Sequence, residues 1–171
     1  AGLAKVRVAV NVSARQFRDR KFIKTLTHVL DTTRLDPQYL TLELTENTIM
    51  ENAQENLDVL YEIKEMGVKL SVDDFGTGYS SLSYLKQLPL DELKIDRSFI
   101  SGIQSAADDA PIVTAIVAMA HSLGLRVVME GVENQHQLNF SSDRGCDEYQ
   151  GFLFSQPILS AQFETLLINE N

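Results

Sequence analysis

The sequence is poor in cysteine, in basic residues and in long apolar runs, and each shortage excludes a class of protein. One cysteine, Cys146, among 171 residues excludes a disulfide framework and a cysteine zinc site, and it suits a reducing cytoplasm. No apolar run reaches the roughly 18–20 residues that cross a bilayer, and the first residues do not resemble a signal peptide, so we expect no membrane segment. Lysine and arginine number 15 against 24 aspartates and glutamates, and the charge of −9 argues against duplex nucleic acid as a partner.

The remaining composition is typical of a single globular domain. Apolar residues make up 44% of the chain, and its length allows a sizeable buried core. Short β-type runs alternate with longer amphipathic stretches, an order that predicts a parallel α/β fold. The predicted strands are Val6–Val12, Tyr39–Leu44, Lys69–Asp73, Leu93–Ile95, Val127–Glu130 and Tyr149–Phe154. The predicted helices lie near residues 16–33, 51–66, 80–87, 109–123, 134–144 and 160–168.

Polar side chains recur where the predicted strands end. Parallel strands that are buried on both faces are normally apolar almost throughout, and one polar strand end is most simply a solvated loop residue. A series of six favours a shared site, because the carboxyl ends of parallel strands meet at one edge of the sheet. The residues at these ends are Asn11, Glu43, Asp73 with Asp74, Lys94, Glu130 and Gln150.

The chemistry of these residues predicts a site for hard cations. Nearly all offer oxygen ligands, and neither histidine nor cysteine is among them, which suits Mg²⁺ or Mn²⁺ rather than zinc or copper. The adjacent Asp73 and Asp74 are suited to bridging two ions, and Lys94 would add a positive hydrogen-bond donor.

Six motifs, in order, resemble those of the EAL domain family over essentially the whole chain. They are Asn-Val-Ser-Ala-Arg-Gln-Phe (11–17), Glu-Leu-Thr-Glu (43–46), Asp-Asp-Phe-Gly-Thr-Gly-Tyr-Ser-Ser-Leu (73–82), Leu-Lys-Ile-Asp-Arg-Ser-Phe (93–99), Glu-Gly-Val-Glu (130–133) and Tyr-Gln-Gly-Phe-Leu-Phe (149–154). The resemblance implies a bacterial phosphodiesterase that hydrolyses cyclic-di-GMP to linear pGpG, with Mg²⁺ or Mn²⁺, on a modified TIM barrel.

The resemblance also implies a role for each site residue. Asn11, Glu43 and Asp73 correspond to ligands of a first metal, and Asp73 would bridge to a second metal held also by Asp74 and Glu130. Lys94 corresponds to the residue that orients the attacking water, Gln150 to a further active-site residue, and Glu46 to the anchor of the loop from Asp74 to Ser81. Glu133 lies in the same motif as Glu130 and is given no role.

One feature of the family is absent. The Glu-Ala-Leu motif, whose glutamate is a further ligand of the first metal, does not occur before Asn11. The six predicted βα units also fall short of the eight in a closed barrel. We therefore expect residues 1–171 to be the C-terminal two-thirds of an EAL domain that forms an incomplete barrel. Its open edges, Val6–Val12 and Tyr149–Phe154, predict self-association into homo-oligomers or marginal stability. We also expect negligible hydrolysis by the chain alone, because the first metal lacks the carboxylate ligand of the Glu-Ala-Leu motif.

Three other functions stay open at this stage. The chain could be a receptor that binds cyclic-di-GMP without cleaving it, or an inactive structural part of a longer regulator with GGDEF or sensor domains. A response-regulator receiver also uses an aspartate pair and a lysine at a strand end. It would have five strands with the acidic pair at the first, whereas this sequence predicts six strands with the pair at the third.

Overall fold

A computed structural model describes residues 5–51, 53–78, 82–103 and 110–169. Within those ranges it contains six strands, eight α-helices and two short 3₁₀ helices, Pro37–Tyr39 and Arg97–Phe99. The strands are β1 (Val8–Asn11), β2 (Leu40–Thr45), β3 (Lys69–Phe75), β4 (Glu92–Ile95), β5 (Arg126–Glu130) and β6 (Glu148–Gln150). The helices are α1 (Ala14–Phe17), α2 (Phe22–Thr33), α3 (Glu46–Met50), α4 (Ala53–Glu65), α5 (Leu82–Leu85), α6 (Pro111–Ser122), α7 (Gln135–Asp143) and α8 (Ser160–Asn169).

The strands form one parallel sheet in the order β1-β2-β3-β4-β5-β6. The prediction of a parallel α/β fold with six βα units is confirmed, and the sheet is a curled half-barrel. The four central strands are mostly buried, while all residues of β1 and of β6 are exposed. Within the described residues β1 and β6 each pair on one side only, so both edges of the sheet are open.

Ion pairs between the starts of distant strands show how strongly the sheet curls. Arg7, just before β1, places Nη2 2.5 Å from Oε1 of Glu148 at the start of β6. Arg126 of β5 contacts the same oxygen at 2.5 Å, and its Nη2 lies 2.7 Å from Oε2 of Glu92. These contacts bring the first and last strands of the sheet to the same interior space.

Two predicted elements differ from the observed ones. The strand predicted at Tyr149–Phe154 ends at Gln150, because the chain turns there and the Phe154 amide donates to the Gly151 carbonyl at 3.2 Å. The helix predicted near 16–33 is two helices. Between them the Asp19 carbonyl accepts from the Phe22 amide and the Asp19 carboxylate accepts from the Lys21 amide, which fixes a turn that interrupts the helix.

The helix predicted near 51–66 is observed as α4, and the short helix α3, which precedes it, was not predicted. Thr45 caps α3 through its hydroxyl, which accepts from the Thr48 amide at 3.4 Å, so this short helix starts directly after β2. This arrangement places Glu46 in the first turn, where a carboxylate is favourable. The predicted helix near 80–87 is observed as α5, and residues 79–81 lie outside the described ranges.

The core lies between the sheet and the surrounding helices. Leu44, Leu70, Leu93 and Met129, from four neighbouring strands, are completely buried. No helix in the described ranges combines the length and the apolar character that a bilayer-spanning segment requires.

Candidate active site

Lys94 lies at the centre of a buried cluster of charges at the carboxyl ends of the strands. Its Nζ is 2.7 Å from Oε1 of Glu130, 2.9 Å from Oε1 of Glu43 and 3.1 Å from Oδ1 of Asp73. Only 4% of the lysine side chain is exposed, so these contacts exchange little with water. Three side chains that the sequence analysis assigned to metal binding therefore surround the predicted water-orienting lysine.

The cluster shifts the pKa values of its members. Burial alone would lower the pKa of Lys94, but hydrogen bonds to Glu130 and Glu43 and their negative charges outweigh it and raise that pKa. Burial raises the pKa of Glu130; Lys94 opposes this shift, while the charges of Asp73 and Glu43 reinforce it. The pKa values of both partners of the Lys94–Glu130 pair are therefore raised, that of Lys94 by the surrounding carboxylates and that of Glu130 chiefly by burial.

Asp73 and Asp74 lie at an irregularity of β3. The register with β4 shifts between Val72 and Phe75, and Asp74 has a φ of 55°, in the left-handed region that is unfavourable for a residue other than glycine. Such strain is often found at functional sites, where it re-aims a side chain. Here the irregularity allows two consecutive aspartates to contribute oxygens to one site.

The side chains of Asp73, Asp74 and Glu130 fit a divalent cation. Each offers one carboxylate oxygen, and the three oxygens lie within 4.8 Å of one another. Oδ1 of Asp73 is buried and, although it is 3.1 Å from Lys94 Nζ, it has no hydrogen bond of acceptable geometry. When ionised, Glu43, Asp73, Asp74 and Glu130 together with Lys94 carry a net charge of −3. A group of hard oxygen donors with this charge suits Mg²⁺, Mn²⁺ or Ca²⁺.

Glu46 holds the segment that follows Asp74. Oε2 of Glu46 accepts hydrogen bonds from the amide of Gly76 at 2.9 Å and from the amide of Gly78 at 3.3 Å. A Cβ at Gly78 would lie 2.8 Å from Oε1 of Glu46, so a residue without a side chain allows this close approach. The glutamate is 2% exposed. This geometry suits the predicted role of Glu46 as a loop anchor, for the part of the loop that is described.

Asn11 and Gln150 lie on the two open edges of the sheet. Asn11 is in register with Glu43, and Gln150 is in register with Glu130, so each edge strand places one predicted site residue beside a carboxylate of the cluster. Both residues are exposed. They therefore flank the buried cluster from opposite sides of the half-barrel.

Asp96 was missed by the sequence analysis. It follows β4 directly, its carboxylate accepts from the Ser98 amide at 3.0 Å, and its charge contributes to the raised pKa of Asp74, behind burial and Asp73. The sequence did contain a signal for it, because Asp96 comes two residues after Lys94, directly beyond the end of a predicted strand. Glu133 is exposed and lies outside the group of three carboxylates.

A cavity of about 700 Å³ occupies the interior of the half-barrel below the cluster. Its polar wall includes Glu43, Lys94 and Gln150 near the strand ends and Arg7, Glu92 and Glu148 near the strand starts. Apolar side chains from the C-terminal segment, among them Phe152, Phe154 and Phe163, line its open side and are 41–60% exposed. The open side of the sheet thus exposes an apolar surface next to the charged site.

The sequence matches known proteins over nearly its whole length. The model of the EAL domain family matches residues 1–157. The cyclic di-GMP phosphodiesterase NbdA of Pseudomonas aeruginosa is 46% identical over 167 residues, which are 98% of this chain and 21% of that protein. The bifunctional diguanylate cyclase/cyclic di-GMP phosphodiesterase MucR of the same organism is 47% identical over 161 residues, which are 94% of this chain and 24% of that protein. The chain thus spans about a fifth to a quarter of these relatives.

Solved structures match the fold as well. The PaMucR phosphodiesterase in complex with c-di-GMP has a TM-score of 0.87 and 46% identity, covering 92% of this chain and 70% of that one. Klebsiella pneumoniae BlrP1 with cy-diGMP and manganese has a TM-score of 0.81 and 31% identity, covering 90% of this chain and 40% of that one. A calcium complex of BlrP1 matches with the same TM-score and identity. These are structures to which the half-barrel is similar.

Proposed function

Because the chain belongs to the EAL domain family, we propose that its buried charge cluster serves the metal-dependent hydrolysis of cyclic-di-GMP to linear pGpG. The observation that carries this proposal is the convergence of Glu43, Asp73 and Glu130 on Lys94 at the carboxyl ends of the strands. The relatives NbdA and MucR are named as phosphodiesterases for this substrate, and the PaMucR structure holds it, which supports the same substrate here.

We propose Mg²⁺ or Mn²⁺ as the cofactor, with two ions in the active protein. Asn11, Glu43 and Asp73 would hold one ion, and Asp73, Asp74 and Glu130 would hold the other. Divalent ions at such a site polarise the scissile phosphate and lower the pKa of a bound water. Two divalent charges would convert the net charge of −3 around Lys94 to about +1, which favours a phosphodiester anion.

The contacts among the residues of the chain support this proposed reaction. Lys94 keeps its proton, since its pKa is raised, and its Nζ can donate to an attacking water or to the developing charge on phosphorus. Its contacts with Glu43 and Glu130 hold these carboxylates in position when metal ions arrive. Glu46 would keep the backbone after Asp74 close to the site, and Gln150 would face the substrate from β6.

The half-barrel is proposed to be the C-terminal two-thirds of a complete EAL domain. The exposed edges β1 and β6 and the exposed apolar side chains beside the cavity support this assignment, because two further strands would cover them. Exposed edges of this kind also pair with other chains, so we propose that the chain alone forms homo-oligomers. We further propose that the chain belongs to a longer bacterial regulator with GGDEF or sensor domains and that this regulator lies in the cytoplasm. The bacterial relatives NbdA and MucR support the longer regulator, because each is four to five times as long as the segment that matches this chain.

Binding of cyclic-di-GMP without hydrolysis is a second candidate function, and the open sheet favours it for the chain alone. Asn11, a proposed metal ligand, is exposed on an edge strand. An edge strand is hydrogen-bonded to a neighbouring strand on one side only. The position of Asn11 as a ligand of the first ion is therefore less restrained than it would be within a closed barrel.

Release of pGpG from cyclic-di-GMP, measured by chromatography, tests the proposal. We expect Mn²⁺-dependent release by a longer chain that adds the missing strands, and little release by residues 1–171. Lys94→Met and Asp73→Asn should each abolish release, whereas Lys69→Met, which removes a lysine at the opposite end of the barrel, should retain it. Absence of hydrolysis in the longer chain, with binding retained, would favour the receptor; absence of both would refute the proposed function.

A further inference from the structure

A segment of this acidic chain carries a concentrated positive charge that the proposed reaction does not use. Residues 14–24 contain five basic residues and one acidic residue, whereas the rest of the chain contains ten basic and 23 acidic residues, a formal charge of −13. The five cations are Arg15, Arg18, Arg20, Lys21 and Lys24, and all are exposed. We call this set the basic surface.

Most of the basic surface is unpaired within the described part of the chain. Arg18 forms an ion pair with Glu51, but no ion pair there involves Arg15, Arg20, Lys21 or Lys24. The turn that carries Arg20 is fixed, because Asp19 accepts from the amides of Lys21 and Phe22 at 2.9 and 2.7 Å. Cations presented by a fixed turn lose less conformational freedom when they bind a partner.

A groove lies between this turn and α4. The cavity has a volume of about 580 Å³ and is lined by residues of the turn on one side and by Asn56, Val59 and Glu62 on the other. Phe17, Phe22 and Ile23 contribute its apolar part; Phe17 is buried, and the other two are half-buried. The groove therefore has a recessed apolar floor, and its rim on the side of the turn carries three cations, Arg18, Arg20 and Lys24, and one carboxylate, Asp19.

We propose that this groove binds a short acidic amphipathic helix of a partner protein, with apolar side chains in the groove and carboxylates against the basic surface. The recessed floor suits an inserted side chain, which is how an amphipathic helix is recognised in a groove. The concentration of cations on one rim requires negative charge on the facing side of the partner. Glu62 on the opposite wall orients the helix, because it repels carboxylates from that side.

The same features disfavour other anionic partners. A membrane surface is bound by exposed apolar side chains, whereas Phe17 is buried and Phe22 and Ile23 are half-buried. A nucleic acid would extend beyond eleven residues of positive charge onto a surface of strongly negative charge, which repels phosphates.

Fluorescence anisotropy with synthetic peptides tests the proposal on the chain itself. The probe is a labelled 14-residue helical peptide with leucines on one face and glutamates on the other. The first comparison peptide has serines in place of the leucines, and the second has glutamines in place of the glutamates. The protein variant is Arg20→Ala with Lys24→Ala, and its control is Lys5→Ala with Lys86→Ala, which removes the same charge from exposed positions elsewhere.

We expect the labelled peptide with leucines and glutamates to bind the wild-type protein. The Arg20→Ala, Lys24→Ala variant should bind it about 3- to 10-fold more weakly, because two charges on the rim are lost. The control variant should bind normally, and both comparison peptides should bind more weakly than the probe. Equal binding by the groove variant and the control would overturn the proposal, as would equal binding of the leucine and serine peptides. If the protein bound phosphatidylserine vesicles but not the peptide, the partner of the groove would be a membrane surface. If the groove variant dissociated an oligomer in a sedimentation experiment, the partner would be a second copy of this chain.

Discussion

Replacement of Lys94 by methionine removes the one ammonium group from a buried cluster of carboxylates. In the wild-type protein Nζ contacts Glu43, Asp73 and Glu130 at 2.7–3.1 Å. Methionine has a similar length and volume, so the change removes the charge and the donors without leaving a large cavity. Three carboxylates then face one another with no compensating cation in metal-free buffer.

The burial of the pair sets the size of the effect. Lys94 and Glu43 have side chains that are 4% and 7% exposed, and removal of one partner from such a buried pair typically costs about 3–5 kcal/mol. For a protein of this size that loss lowers the melting temperature by about 6–20 °C. Because the pKa of Glu130 is already raised above 4.5, its protonation should relieve the repulsion, so the loss should shrink as the pH falls towards that value.

Urea unfolding of wild type and Lys94→Met, with EDTA present and at several pH values, measures this loss. Lys69→Met is the control, because Lys69 is 42% exposed and its partner Asp91 keeps a contact with Lys64. We expect the control to cost at most about 1 kcal/mol. A loss for Lys94→Met no larger than that of the control would refute the view that the lysine holds the cluster together.

Three further outcomes follow from other parts of the molecule. Burial would raise the pKa of Asp91, but hydrogen bonds from Lys64, Lys69 and the Leu70 amide outweigh it and hold that pKa below its usual 3.8. The ionised Asp91 carboxylate therefore stabilises the folded protein fully above pH 3.8, and this stabilisation is lost as the pH falls below that value. The difference in unfolding free energy between wild type and Asp91→Asn should therefore shrink below about pH 4; a constant difference down to pH 2 would contradict this. Gly151→Ala would place a Cβ 2.1 Å from the Val132 carbonyl oxygen. We expect this clash to lower the free energy of unfolding by about 1–3 kcal/mol, measured by thermal denaturation. An unchanged melting temperature would show that the backbone adapts. Ca²⁺ prefers longer bonds and more ligands than Mg²⁺ or Mn²⁺, and we expect it to inhibit pGpG release by a complete barrel; equal turnover would show that metal geometry is not limiting.

Local patterns in the sequence were sufficient for the order of elements. The alternation of strands and helices predicted a parallel sheet, because each strand is short and each connection carries an amphipathic helix. The end of β6 at Gln150 was not predictable in this way, since Gly151 and Phe154 continue an apolar β-type pattern while the chain turns. The ion pair between Arg7 and Glu148 could not be predicted from the sequence either, because the two residues are 141 positions apart and meet only through the curl of the whole sheet.

The candidate site shows the same division between local and distant information. Polar strand ends pointed to Glu43, Lys94 and Glu130, since parallel strands place their carboxyl ends at one edge. The left-handed backbone of Asp74 was not predictable, because it depends on a register shift between two strands. The contacts of Lys94 with three carboxylates likewise depend on side chains from four strands meeting in one buried space.

The stoichiometry of bound Mn²⁺ tests the central claim most directly. Equilibrium dialysis of a barrel-complete chain with cyclic-di-GMP should give two ions per domain, and Asp73→Asn should lose binding because this carboxylate is proposed to serve both ions. Asp91→Asn, which removes a carboxylate at the opposite end of the barrel, should keep both ions. Two ions bound by Asp73→Asn with unchanged affinity would contradict the account.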